Sequence, residues 1–210
     1  MRRSHISTVA VLAILALPAF AAAQTRPGIR AYSTFGSTQL AATDSFEAVT
    51  GTSRSTGLGG GVTVTRLWRG VFADVSFAQT KLDGERVFIH DGTVYELGIP
   101  VEITMQPIDA AIGWRLVKGR LSPYAGAGYS SMSYRETSRF SASGDDVNER
   151  ASGPMVLAGA DVAVLRWLHV GGEVRYRAID GVLGRGGVSE VYGEDSLGGV
   201  SAALRLSVGR

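Results

Sequence analysis

The sequence predicts an all-β fold, an eight-stranded antiparallel up-and-down transmembrane β-barrel, and three observations predict it. First, between Gly153 and Asp180, Val156, Ala158, Ala160, Val162 and Val164 recur every second residue. After Arg166-Trp167 the alternation resumes with Leu168, Val170, Val174 and Tyr176. Period two marks a strand whose side chains enter two environments in turn. The intervening positions include Gly159, Asp161, His169, Gly171, Glu173, Arg175 and Arg177. One environment therefore takes only apolar groups, while the other takes glycine and full charges. Lipid outside and a narrow polar lumen inside supply that pair. Second, the same hairpin rhythm recurs along the chain. Third, nothing after the leader approaches eighteen unbroken apolar residues, so no spanning helix is expected.

The leader stands apart from the fold. Arg2, Arg3 and His5 give a positive start, Val9 to Leu17 an apolar run, and Pro18 with Ala21-Ala22-Ala23 a small-residue cleavage site before Gln24. This is the pattern of a secretory signal peptide, and the apolar run is too short to span. Residues 1–23 are expected to be removed, leaving 24–210 as one barrel domain with no soluble segment after the last strand. Gln24 in place of cysteine excludes a lipoprotein anchor. Arg2 and Arg3 leave with the leader, so 21 basic side chains become 19, against 19 acidic ones. That balance gives no electrostatic basis for nucleic-acid binding. Without cysteine, an exported chain depends on backbone bonding and packing, not on disulfides.

The first strand is expected from Ile29 to Phe35, with Ile29, Ala31, Ser33 and Phe35 on one face and Arg30, Tyr32 and Thr34 on the other. Gly36 to Thr56, rich in Ser, Thr, Ala and Gly, reads as a long loop. The second strand follows from Leu58 to Leu67 and turns at Trp68-Arg69-Gly70. The third sets Val71, Ala73, Val75 and Phe77 against Phe72, Asp74, Ser76 and Ala78. Lys81 to Gly98 is a second long connection, in which Val87-Phe88-Ile89 and Thr93-Val94-Tyr95 can extend the strands beyond the membrane.

The fourth strand, Val101 to Leu116, changes phase. Ile103 and Met105 are odd, whereas Ile108, Ala110, Ile112, Trp114 and Leu116 are even. A β-bulge near Gln106-Pro107 is predicted to absorb the shift. Lys118-Gly119-Arg120 is the second short turn, and the fifth strand starts at Leu121. Arg135 to Ser152 is a third long loop, and Gly153 to Asp180 supplies strands six and seven. Gly181 to Asp195 is the fourth long loop, and Ser196 to Val208 is the last strand. There Val200, Ala202, Leu204, Leu206 and Val208 oppose Ser201, Ala203, Arg205 and Ser207. Four long connections thus alternate with three short turns, which matches short periplasmic turns and long extracellular loops.

The facing assignment puts Asp74, Asp109, Asp161 and Glu173 inside with Arg115, Arg175, Arg177 and Arg205. Isolated charges in a narrow interior cost several kcal/mol, so these are expected to neutralise one another and plug the lumen. Lysine, typical of a solvated outer face, occurs only at Lys81 and Lys118, both in connections. Trp68, Trp114 and Trp167 all fall at or near short turns and are expected to form one interfacial girdle.

Pro123-Tyr124-Ala125-Gly126-Ala127-Gly128 is similar to the Pro-Tyr-x-Gly-x-Gly run common in eight-stranded outer-membrane barrels. With the strand and loop rhythm, it makes essentially the whole mature chain resemble the OmpA/OmpX-type family. The resemblance implies a porin-like protein of the Gram-negative cell envelope, held in outer-membrane lipid and lipopolysaccharide and inserted by the barrel assembly machinery. The chain departs from the family in ending Leu206-Ser207-Val208-Gly209-Arg210, without the aromatic terminus many such barrels carry.

The pattern contains no constellation that carries chemistry. Some such barrels are lipid-modifying enzymes, which need a nucleophile beside a base. Two residues beyond His169 stands Gly171, and beyond His90, Gly92. Gly59-Gly60-Gly61 leads into no helix and so is not a phosphate loop. No catalytic residue, metal ligand or cofactor is assigned. The leading expectation is a non-enzymatic barrel whose loops contact an unspecified surface ligand. A lipid-modifying outer-membrane enzyme and a soluble periplasmic lipocalin-like carrier are the alternatives.

Overall fold

The computed structural model describes residues 27–90, 93–138, 147–181, 183 and 187–209. The expected signal peptide, residues 1–23, and the Gly144-Asp145-Asp146 segment lie outside the described residues. The strands are β1 (Gly28–Leu40), β2 (Arg54–Thr65), β3 (Val71–His90), β4 (Thr93–Arg115), β5 (Leu121–Thr137), β6 (Val147–Ala163), β7 (Leu168–Arg177) and β8 (Gly199–Gly209). Each pairs antiparallel with the next. β1 closes the barrel against β8, in a register running from Arg30↔Gly209 to Leu40↔Gly199. Two short helices, α1 (Thr43–Thr50) and α2 (Gly187–Tyr192), sit among the loops. Among the described residues no helix is long and apolar enough to cross a membrane.

The alternation decides what faces where. On β8, Leu204 is 68% exposed while its neighbour Arg205 is 2% exposed. Val200, Leu206 and Val208 are likewise outward, and so are Val156 and Val162 on β6 and Val170, Val174 and Tyr176 on β7. From Val200 to Val208 the strand advances about 27 Å at about 3.4 Å per residue. At a strand tilt near 40° that is about 20 Å of depth, matched to an apolar band about 25 Å tall.

The interior must accommodate whatever points inward, and two glycines make room for tyrosines. A Cβ on Gly61 would lie 2.6 Å from the Tyr32 hydroxyl, and one on Gly159 would lie 2.6 Å from the Tyr124 hydroxyl. Each ring lies across a strand position that only hydrogen can occupy.

The expected bulge at Gln106-Pro107 is absent. Phe77↔Ile108 and Thr80↔Met105 share one register, and β5 pairs continuously past Gln106↔Ser133 and Pro107↔Met132. The pleat never slips; the surroundings change instead. Val101, Ile103 and Met105 point inward like Asp109 and Arg115, and Ile103 and Met105 enter an apolar cluster with Leu40, Phe46, Leu82, Met132, Ile179 and Leu197. Their outward neighbours are Glu102, Thr104 and Gln106. Above the apolar band, then, the faces exchange polarity. The register shift that does occur lies higher, between Glu85 and Val87, where Glu85↔Pro100 gives way to Val87↔Glu96. Gly98, with φ 65°, supplies the left-handed residue a bulge there uses.

Strands outrun their expected ends. β1 continues to Leu40 and β2 begins at Arg54, so the Gly36–Thr56 loop shrinks to a crossover holding α1. β3 and β4 run on to His90 and from Thr93, which realises the anticipated extensions. α1 lies at the loop end and sinks Phe46 into the apolar cluster. No side chain of its own caps its start. Instead Glu194, from the α2–β8 connection, accepts the backbone N–H groups of Asp44 (3.1 Å) and Ser45 (2.8 Å). These are donors a helix start leaves orphaned. Partial burial opposes ionisation of Glu194, but hydrogen bonds from Ser45, Asp44 and Thr43 prevail and hold its carboxyl below the usual range.

Candidate functional site

Below the apolar cluster the lumen holds a network of fixed charge. Strand β7 contributes three consecutive inward positions, Glu173, Arg175 and Arg177, because residues two apart share a face. Arg175 reaches three carboxylates: Nε donates to Glu173 (2.5 Å), Nη1 to Asp109 (2.7 Å) and Nη2 to Asp74 (3.2 Å). Arg177 forks onto Asp109 through Nε (3.1 Å) and Nη2 (2.7 Å). Arg205 donates to Glu173 (2.8 Å) and the Thr63 hydroxyl (2.5 Å), and its Nη2 is 3.5 Å from Asp74. Its guanidinium lies 3.5 Å from the Tyr32 ring centroid. The tyrosines complete the set, Tyr32 donating to Asp74 (2.8 Å) and Tyr124 to Glu173 (2.9 Å).

Asp74, Asp109 and Glu173 therefore oppose Arg175, Arg177 and Arg205, charge for charge, all buried. Bidentate and charge-assisted bonds of this kind offset the desolvation that a narrow interior imposes. The recess beside the network, bordered by Asp109, Glu173 and Arg175, holds about 70 Å3. That admits a few waters and no sizeable solute.

The remaining residues expected inside, Arg115 and Asp161, lie nearer the turn end. Arg115 Nη1 donates to Asp161 (2.5 Å), and its guanidinium stacks 4.3 Å from the Tyr124 ring centroid. Asp74, Asp109, Arg115, Asp161, Glu173, Arg175, Arg177 and Arg205 are all buried. Arg30, Tyr32, Thr63, Ser76 and Tyr124 join these contacts, and their strand parity puts them on the same face. What the parity of one strand cannot give is the cross-strand partner, which requires register.

Trp68, Trp114 and Trp167 stand exposed at the turn end. Trp68 and Trp114 meet edge-on at 6.3 Å, and Arg69 lies over Trp68 at 5.3 Å. His169 does face a serine, across strands rather than along one: it pairs in register with Ser207. Both are buried, but the Ser207 hydroxyl is engaged by Arg205 Nε (3.3 Å), and His169 Nδ1 has no hydrogen-bond partner. A nucleophile–base pair is not assembled there. Among the described residues no cluster of three or more His, Cys, Asp or Glu could hold a metal ion.

The closed barrel is similar to solved structures of other envelope proteins. Neisserial surface protein A superposes with a TM-score of 0.51 at 14% identity, covering 87% of this chain and 95% of that one. Ail, the attachment invasion locus protein of Yersinia pestis, gives 0.50 at 12%, covering 87% and 97%. A major outer membrane protein from Thermus thermophilus gives 0.52 at 11%, covering 86% and 99%. At such identities the likeness is one of fold. No curated protein sequence matches the chain. The family model described as outer membrane protein beta-barrel domain matches residues 7–203. With nearly the whole sequence under that model, and apolar side chains turned outward from a charged lumen, the chain belongs to the outer-membrane protein β-barrel family.

Proposed function

We propose that this integral outer-membrane barrel is a non-enzymatic surface protein: its lumen is plugged, and its loop end meets the cell's surroundings. The observation that carries the reading is the balance of three buried carboxylates and three buried guanidiniums across the lumen. Charges so paired offset much of the cost of leaving water and bind the strands across the axis. Above them the apolar cluster under α1 forms a second barrier. In this reading the short turns face the periplasm and the loops face outward. The tryptophans sit at the inner interface, residues 1–23 are cleaved on export, and lipopolysaccharide surrounds the outer half. The barrel assembly machinery performs insertion. Rigid strands holding longer connections are the usual setting for surface recognition. The similarity to Ail, whose name records attachment and invasion, is consistent with a contact role.

Planar-bilayer recording on purified, refolded protein tests the plug. The expected record shows no sustained conductance at moderate voltage. Stable ohmic steps from the wild-type chain would refute it.

A further inference from the structure

The charge balance fails at one place. At the turn end the barrel opens on a recess of about 490 Å3 lined by Arg30, Arg66, Arg115, Arg166, Ser122 and His169. Among the described residues one carboxylate answers these four guanidiniums: Asp161, bonded to Arg115 and 3.7 Å from Arg30. Arg115 is 5% exposed, yet its Nε and Nη2 have no hydrogen-bond partner, and neither do Nε and Nη1 of Arg30. Buried donors are nearly always satisfied, and leaving them open is costly. The Arg115 guanidinium lies 4.3 Å from the Tyr124 ring centroid and 5.8 Å from that of Phe72, contacts that hold it at the wall of the recess. Water could satisfy these donors, but it cannot offset the surplus of charge. The three turns around the opening carry Arg66, Arg69, Lys118, Arg120 and Arg166 and no acid. That raises the local concentration of anions at the mouth.

We propose that this turn-end recess is a binding site for a phosphate-class oxyanion. Guanidinium forks match phosphate oxygens bidentately, and the net positive excess here calls for an anion, whether the free phosphate ion or a singly charged phosphodiester headgroup. The phosphate is either free in solution or borne by a lipid headgroup of the adjoining leaflet.

The test uses the full mature chain folded in a phosphate-free non-ionic detergent. Inorganic phosphate is titrated by calorimetry at constant ionic strength against chloride. Saturable binding is expected in the wild type, weakened about tenfold in Arg30→Gln, the factor that goes with losing one charge-assisted contact. Arg30 can be neutralised without stranding a carboxylate, because Asp161 retains Arg115. Should that variant not fold, exposed Arg166→Ser serves instead. A second arm reconstitutes both proteins in nanodiscs containing phosphatidylglycerol and examines them by native mass spectrometry. Phospholipid retained by the wild type and lost from the variant assigns the headgroup as the source, and saturation by inorganic phosphate alone assigns the free anion. Either result supports the site. No phosphate binding beyond chloride together with no retained lipid, or equal binding in wild type and variant, overturns it.

Discussion

Replacing Arg175 by methionine asks how much the central network contributes. Among the described residues, Arg175 alone is bonded to all three central carboxylates. Its removal leaves Asp74, Asp109 and Glu173 facing only Arg177 and Arg205. Breaking a buried pair by deleting one partner typically costs about 3–5 kcal/mol. Arg177 still holds Asp109 and Arg205 still holds Glu173, so Asp74 loses most; its nearest remaining guanidinium is 3.5 Å away. The expected loss is therefore near the lower end, about 3 kcal/mol. Urea unfolding in lipid vesicles, followed by tryptophan fluorescence and by heat-modifiable electrophoretic mobility, measures it. The decisive comparison adds Glu173→Gln. The double variant restores two charges against two, so it is expected to be more stable than the two single effects summed, with a coupling of about 1–3 kcal/mol. A loss below about 1 kcal/mol for Arg175→Met would show these charges to be hydrated, as surface pairs are. Strict additivity would show that they do not act together.

Three further outcomes are expected. Gly159→Ala puts a methyl group against both the Gly172 carbonyl oxygen and the Tyr124 phenol and is expected to cost about 1–3 kcal/mol in the same urea titration. An effect within error would mean the ring does not lie there. Glu194 has a folded-state carboxyl held below its unfolded value, so its support of α1 is complete above the unfolded pKa and is lost as pH falls through the folded one. Amide exchange in α1, corrected for intrinsic rates, should accelerate at low pH in the wild type, while Glu194→Gln should exchange fast at neutral pH already. Trp68, Trp114 and Trp167 should be quenched most by lipids brominated near the headgroup. Strongest quenching by bromines at the chain ends would remove them from the interface.

Much of the barrel was legible because strand parity is a local property. Glu173, Arg175 and Arg177 declare a common face from their spacing, and Leu204 beside Arg205 declares that the two faces see different surroundings. Parity failed where the surroundings changed along a single strand. Ile103 and Met105 stand out of phase with Ile108 along the sequence, the pattern of a bulge. In fact the outward face has passed from lipid to water, and the inward face from charge network to apolar cluster. Composition also misled at Gly36–Thr56, where small polar residues conceal the end of β1, a helix and the start of β2. Those segments are held by contacts made elsewhere, Glu194 on α1 above all. The inward face of Arg30 follows from parity, but its proximity to Arg115 and Asp161 exists only once β1 closes on β8.

The proposed plug, girdle and anion recess all depend on apolar side chains facing lipid and charged ones facing the axis. The absence of native cysteine makes this directly testable with one nitroxide at a time along β8, from Val200 to Val208. In reconstituted protein, power-saturation electron paramagnetic resonance should show a strict period of two. Labels at 200, 202, 204, 206 and 208 should be accessible to oxygen and shielded from a water-soluble nickel chelate, and those at 201, 203 and 207 shielded from oxygen. Oxygen accessibility in the opposite phase, or no alternation, would contradict it.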